Sequence, residues 1–152
     1  ADSRRLLDAG PLVVTFIAAL VTVLQRSAGS SQGILEEIRA LGAGLVAISP
    51  QLPEHSRELI ARRPLTFPIL TDRGNTVAAS FGLRFSLPDY LRAIYLTFPL
   101  DLAQVNGDGP WTLPMPARLV IGHEGIGAES DPDYTTRPEP RDTLDTLRRL
   151  AR

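Results

Sequence analysis

The stretch from Leu12 to Gln25 constrains this chain more than any other. It is apolar, rich in β-branched residues in its first half, and preceded by Gly10-Pro11. Such a run after a turn predicts a strand, Leu12 to Ala18, buried on both faces of a sheet. The sequence then passes directly into helix-compatible residues. In folds of this kind the crossover from strand end to helix start presents free backbone N–H groups and commonly carries the chemistry. Here it holds no Cys, His, Asp, Glu, Lys or glycine-rich loop.

Arg4-Arg5 before the apolar run and Ser27-Ala28-Gly29 after it also outline a secretory signal. Three features weigh against that reading. The run is too short to span a bilayer. A helix end and turn, Leu6 to Pro11, intervene, and the following segments need a central strand to pack on. The expectation is a soluble, cytoplasmic protein with no membrane partner.

A length of 152 residues suits one domain, residues 1–152, with a sizeable core. A net charge of −1 with interspersed signs argues against a nucleic-acid partner. The chain contains no cysteine, so it can form no disulfide, thiolate nucleophile or thiolate metal site. It contains no lysine either, which removes Schiff-base chemistry. His55 and His123 lie far apart without ligand spacing, so neither a metal nor a cofactor is expected.

Along the chain, Asp2 to Ala9 reads as a short helix stopped by Gly10. Two glycines interrupt residues 28–33, after which Ile34, Leu35, Ile38 and Leu41 fall on one helical face with Gly42 as its cap. Leu45 to Ser49 reads as a second buried strand and Pro53 to Arg62 as a helix. Phe67 to Leu70 reads as a short strand. Asn75 is expected to cap a helix burying Val77, Ala78 and Phe81, stopped by Gly82. Leu87 to Phe98 has helical spacing, Leu102 to Val105 a turn of helix, and Trp111 to Pro116 is extended. Arg118 to Ile121 and Ile126 to Glu129 form a hairpin about Gly122 to Gly125. A last helix carries Leu144, Leu147 and Leu150 on one side. The order predicts an α/β fold: a mixed central sheet, helices on both faces, and a right-handed crossover joining two parallel strands.

Several segments carry a family resemblance. Val13-Val14-Thr15-Phe16, Leu41-Gly42-Ala43, Leu45 through Gln51, Pro53-Glu54-His55-Ser56, and Phe67 through Asp72 are similar to the peroxiredoxin-like branch of the thioredoxin superfamily. So are Leu113 through Ala117 and Asp131 through Thr135. The resemblance, to the alkyl hydroperoxide reductase and thiol-specific antioxidant group, spans nearly the whole chain in order. It implies a thioredoxin-like fold. It also implies a crossover of the type Tyr-Arg-Gly-Gly-Trp-Cys-Pro-Tyr-Cys, where this chain has Ile17 to Gln25. Thr22 then stands in the place of the peroxide-reducing cysteine, Gln25 in that of its partner, and Ala18 in that of a basic residue.

Thiol peroxidases need a poised thiolate that can be oxidised to sulfenic acid and returned. A threonine hydroxyl has no such chemistry, and aliphatic replacement of the whole loop marks a natural non-thiol descendant. Thr22 would otherwise act as a hydrogen-bond donor or nucleophile, or more simply as a helix-capping hydroxyl. Gln25 could orient a ligand carbonyl or sit in solvent. Trp111 and Met115 are a pocket wall or core packing. The resemblance makes Pro116 the cis proline that faces the crossover. Ala18, Thr22, Gln25, Trp111, Met115 and Pro116 are therefore the candidate ligand contacts, for an apolar small molecule. His55 and His123 are read as structural or surface residues. The expected role is a binding or interaction protein without catalysis, with homodimer formation as a candidate property. The alternative is a cofactor-independent enzyme acting on an apolar small molecule in the remodelled crevice.

Overall fold

The computed structural model describes residues 3–18, 33–62, 65–97, 101–107, 111–129 and 140–150. Its centre is β1 (Leu12–Phe16), all five residues of which are buried. Parallel to it on one side runs β2 (Gly44–Ser49), with β3 (Ile69–Thr71) beyond. On the other side β6 (Ala117–Gly122) and β7 (Gly125–Glu129) pair antiparallel, giving the order β3-β2-β1-β6-β7. Burial on both faces explains why β1 reads as an unbroken apolar run. The predicted strand ended at Ala18; the observed one ends at Phe16, although Ile17 still donates to the Ile48 carbonyl at 2.9 Å.

Alternate residues of β1 serve opposite faces. Val13 and Ile17 pack with Ile34, Leu35 and Ile38 of α2 (residues 33–40) and with Leu144 and Leu147 of α7 (Pro140–Leu150). Leu12, Val14 and Phe16 pack with Ala78 of α4 (Thr76–Ser80), with Leu83, and with Leu6 and Leu7 of α1 (Ser3–Leu7). Gly42 ends α2 as the sequence predicts: it has φ 72°, and Ala43 donates to the Ile38 carbonyl at 3.1 Å. The helix α3 (Pro53–Arg62) has its predicted bounds.

On the second face the rings of Phe16 and Phe81 meet at a centroid distance of 5.7 Å and a tilt of 59°. A double-mutant cycle of Phe16→Leu and Phe81→Leu, read by urea denaturation, is expected to show a coupling of about 0.5–1.5 kcal/mol. Strict additivity of the two would mean that the rings share no direct interaction.

Four expectations need correction. Asn75 does not cap α4 through its side chain; it closes a 3₁₀ turn (Arg73–Asn75) in a left-handed conformation, and Asp72 supplies the acceptors instead. Val77 is exposed rather than buried, because α4 buries a narrower stripe than its apolar content suggested. The helix expected over Leu87 to Phe98 is α5 (Asp89–Tyr95), and its side chains Tyr90 and Ile94 are exposed. The residues just before it form an unforeseen strand, β4 (Arg84–Ser86), which pairs antiparallel with β5 (Thr112–Pro114) in a second, two-stranded sheet. Between these lies α6 (Leu102–Asn106), capped by Asp101, whose carboxylate accepts from the Ala103 amide at 2.9 Å.

Candidate functional site

The C-terminal ends of parallel strands form the rim where α/β folds place ligands. Here that rim gathers the residues after β1, β2 and β3 with the first residues of β6, which runs the other way. Ala18, after β1, is half-buried and packs against the cluster of Leu87, Leu102 and Leu113. Trp111 packs against the same cluster, together with Phe85, Leu91 and Tyr95. Two of the six candidate contacts are thus brought to one apolar wall by residues far apart in sequence.

The outer side of that wall carries a charge. The Arg92 guanidinium lies 5.2 Å from the centroid of the Trp111 ring, a cation–π contact. Its carboxylate neighbour Asp89 is 3.9 Å away and fully exposed, so this ion pair adds little.

Met115 goes elsewhere. Its amide donates to the Leu83 carbonyl at 2.6 Å, and its side chain packs against the Leu12, Val14 and Phe16 cluster instead. Pro116 is half-buried directly before β6. The cis bond that the resemblance implied is absent: the Met115–Pro116 peptide is trans, as are all peptides among the described residues. Thr22 and Gln25 lie outside the described residues.

Sequence reasoning passed over the polar part of the rim. Ser49 ends β2 fully buried, and its hydroxyl accepts from the Gln51 amide at 3.3 Å; Gln51 is buried as well. Arg118 sits opposite Thr15 in the β1–β6 register and is 6% exposed. Its guanidinium reaches the Thr143 hydroxyl on α7 at 3.4 Å, and Thr15 and Thr143 are themselves buried. The burial of Arg118 follows from α7 covering that face of β6, a packing its own segment does not signal. Asp72 follows β3, but both of its carboxylate oxygens already accept hydrogen bonds from α4.

The strand ends therefore carry buried hydroxyls, an amide and a guanidinium in addition to the apolar wall. His55 is half-buried in α3 and His123 is exposed in the β6–β7 hairpin. No group of three His, Cys, Asp or Glu able to hold a metal occurs among the described residues. None of their helices is long and apolar enough to cross a membrane.

This mixed sheet flanked by helices is a thioredoxin-like fold. The chain belongs to the AhpC/TSA family, whose model matches residues 4–127. Peroxidoxin BcpB from Mycobacterium tuberculosis is similar in structure, with a TM-score of 0.73 and 21% identity over 96% of this chain and 83% of that one. Peroxiredoxin Q from Xanthomonas campestris gives a TM-score of 0.71 and 13% identity, covering 100% of this chain and 86% of its own. Reduced Prx3 from Vibrio vulnificus, solved with hydrogen peroxide, gives 0.73 and 8% identity, over 97% and 85%. At these identities the likeness concerns the fold. No curated protein sequence matches the chain.

Proposed function

We propose that this chain is a single-domain, cytoplasmic pseudoenzyme of the AhpC/TSA family, without thiol peroxidase activity, that binds an apolar small molecule or a protein. The absence of cysteine from all 152 residues carries the first half of that reading. Peroxide reduction in the thiol manner transfers oxygen to a thiolate sulfur, and this chain has no such sulfur to offer. The second half draws on the apolar wall of Ala18 and Trp111 and on the buried polar side chains that end the neighbouring strands, Ser49, Gln51 and Arg118. Small-molecule sites have that composition: mostly apolar, with a few placed polar groups. Thr22, Gln25 and Pro116 complete the proposed contact set. A second reading, catalysis without a cofactor on an apolar substrate, draws on Arg118 as a buried cation able to stabilise developing negative charge.

Two measurements test this. Hydrogen peroxide consumption with a dithiol reductant is expected to match the protein-free control; turnover dependent on the protein would end the pseudoenzyme reading. Trp111 is the only tryptophan, so its emission reports directly on the apolar wall. Titration with hydrophobic metabolites is expected to give saturable changes in that emission, and emission unchanged by all of them would count against a ligand at this wall. A ligand that is bound and chemically altered would select the enzymatic reading.

A further inference from the structure

We propose that the small molecule taken up at the apolar wall is a hydrophobic monocarboxylate, with its hydrocarbon body against Trp111 and its carboxylate on Arg92. This rests on the wall being a ligand site. The Arg92 guanidinium stands over the Trp111 ring, 5.2 Å from its centroid. A guanidinium stacked on a ring spends its flat face there and keeps the N–H groups of its edge for an acceptor. Asp89 does not take them up. Its carboxylate oxygen is 3.9 Å from the Arg92 Nη1, beyond hydrogen-bond distance, and the aspartate is fully exposed. Among the described residues no side-chain hydrogen bond engages this guanidinium.

Its position gives the charge a use. Ala18, Leu91, Tyr95 and Trp111 are each only partly buried against the Leu87, Leu102 and Leu113 cluster. Arg92 follows Leu91 in α5 and is half-exposed, so the cation stands where apolar surface gives way to water. An apolar molecule resting on Trp111 therefore has a positive charge within reach of its outer end. The ring steadies the guanidinium before any ligand arrives, so less side-chain freedom is lost on binding. A carboxylate suits the place because its two oxygens match the planar fork of an arginine. A phosphate dianion would call for further cations, but α5 has one arginine, and the neighbouring Asp89 repels a second negative charge. A neutral ligand would draw nothing from Arg92, and a cationic one would be repelled.

Octanoate and octanamide match in size and differ in charge. Calorimetric titration of the full chain is expected to show octanoate binding at least about tenfold more tightly. Arg92→Gln should bring octanoate down to the affinity of octanamide. The side chain lies at the surface, so this variant should fold, which circular dichroism verifies. Equal binding of the two probes by the wild-type chain would overturn the carboxylate preference and leave the wall a ligand site. A folded Arg92→Gln that keeps the full preference for octanoate would overturn the proposal too, since the charge would be recognised elsewhere. Binding of neither probe would also overturn it. The small-molecule site itself would fall only if hydrophobic metabolites left the Trp111 emission unchanged as well.

Discussion

Gly10→Ala is expected to cost the fold about 4 kcal/mol, the largest loss from a methyl group added at any described glycine. Two independent effects add. Gly10 has φ 133°, a conformation that L side chains rarely adopt. A Cβ placed there would also overlap hard with the backbone carbonyl oxygen of Gly42, which cannot swing aside as a side-chain tip could. The contact matters because it sets the entry of β1. Gly10 donates to the Leu7 carbonyl at 3.1 Å, and the Gly44 amide donates to the Pro11 carbonyl at 2.8 Å. That close approach establishes the pairing of Leu12 with Gly44, from which the rest of the β1–β2 register follows. Against a typical total stability of about 5–15 kcal/mol, the loss should lower the melting temperature by roughly 10 °C. Gly82→Ala is the control. Its φ of 70° is also left-handed, but an added Cβ meets nothing within 4 Å, so about 1 kcal/mol is expected. Equal losses at the two positions would show that the Gly42 carbonyl does not crowd Gly10.

The same contrast between local and distant causes separates what could be read in advance from what could not. β1, β2 and the β6–β7 hairpin were legible because an apolar run after Gly10-Pro11, or two runs about a Gly-His-Glu-Gly turn, carry their signal within a few residues. β4 was not. Arg84-Phe85-Ser86 has one apolar residue, and it becomes a strand through pairing with Thr112 to Pro114, far along the chain. Asn75 next to a helix looked like a cap, yet Asp72 reaches past the 3₁₀ turn to the amides, a reach that only the folded backbone defines. In the candidate site, Ala18 and Trp111 meet in one cluster built partly by α5 and α6, elements remote from Ala18 in sequence, and Met115 packs into a different cluster. Arg118 was overlooked because its burial depends on α7 covering that face of β6, which nothing in its own segment signals.

Asp72→Ala is expected to destabilise the protein by about 3 kcal/mol. Asp72 is 4% exposed, and its carboxylate accepts three hydrogen bonds: from the Thr76 hydroxyl at 3.0 Å, the Val77 amide at 2.9 Å and the Ala78 amide at 2.9 Å. Its negative charge also faces the amide end of α4, where it is favoured. Alanine removes the acceptors and leaves the amides without partners, and an abandoned buried donor costs more than its hydrogen bond contributed. Thr76→Val removes a single hydroxyl and should cost about 1 kcal/mol or less. Asp72→Asn should fall between the two, since one amide oxygen remains but an NH₂ group now confronts a donor. Urea midpoints at constant slope provide the measurement, with a shift of about 1–3 M for the alanine variant. The damage should not stay local. The Asn75 amide donates to the Asp72 carbonyl at 3.0 Å, and the Asn75 side chain donates at 3.0 Å to both the carbonyl and the hydroxyl of Thr112, the neighbour of Trp111. Loosening Asp72 therefore loosens β5 and the wall that Trp111 forms, so Asp72→Ala should alter tryptophan emission before the main unfolding transition. An alanine variant within about 1 kcal/mol of wild type, with unchanged emission, would mean that α4 holds its place without this carboxylate.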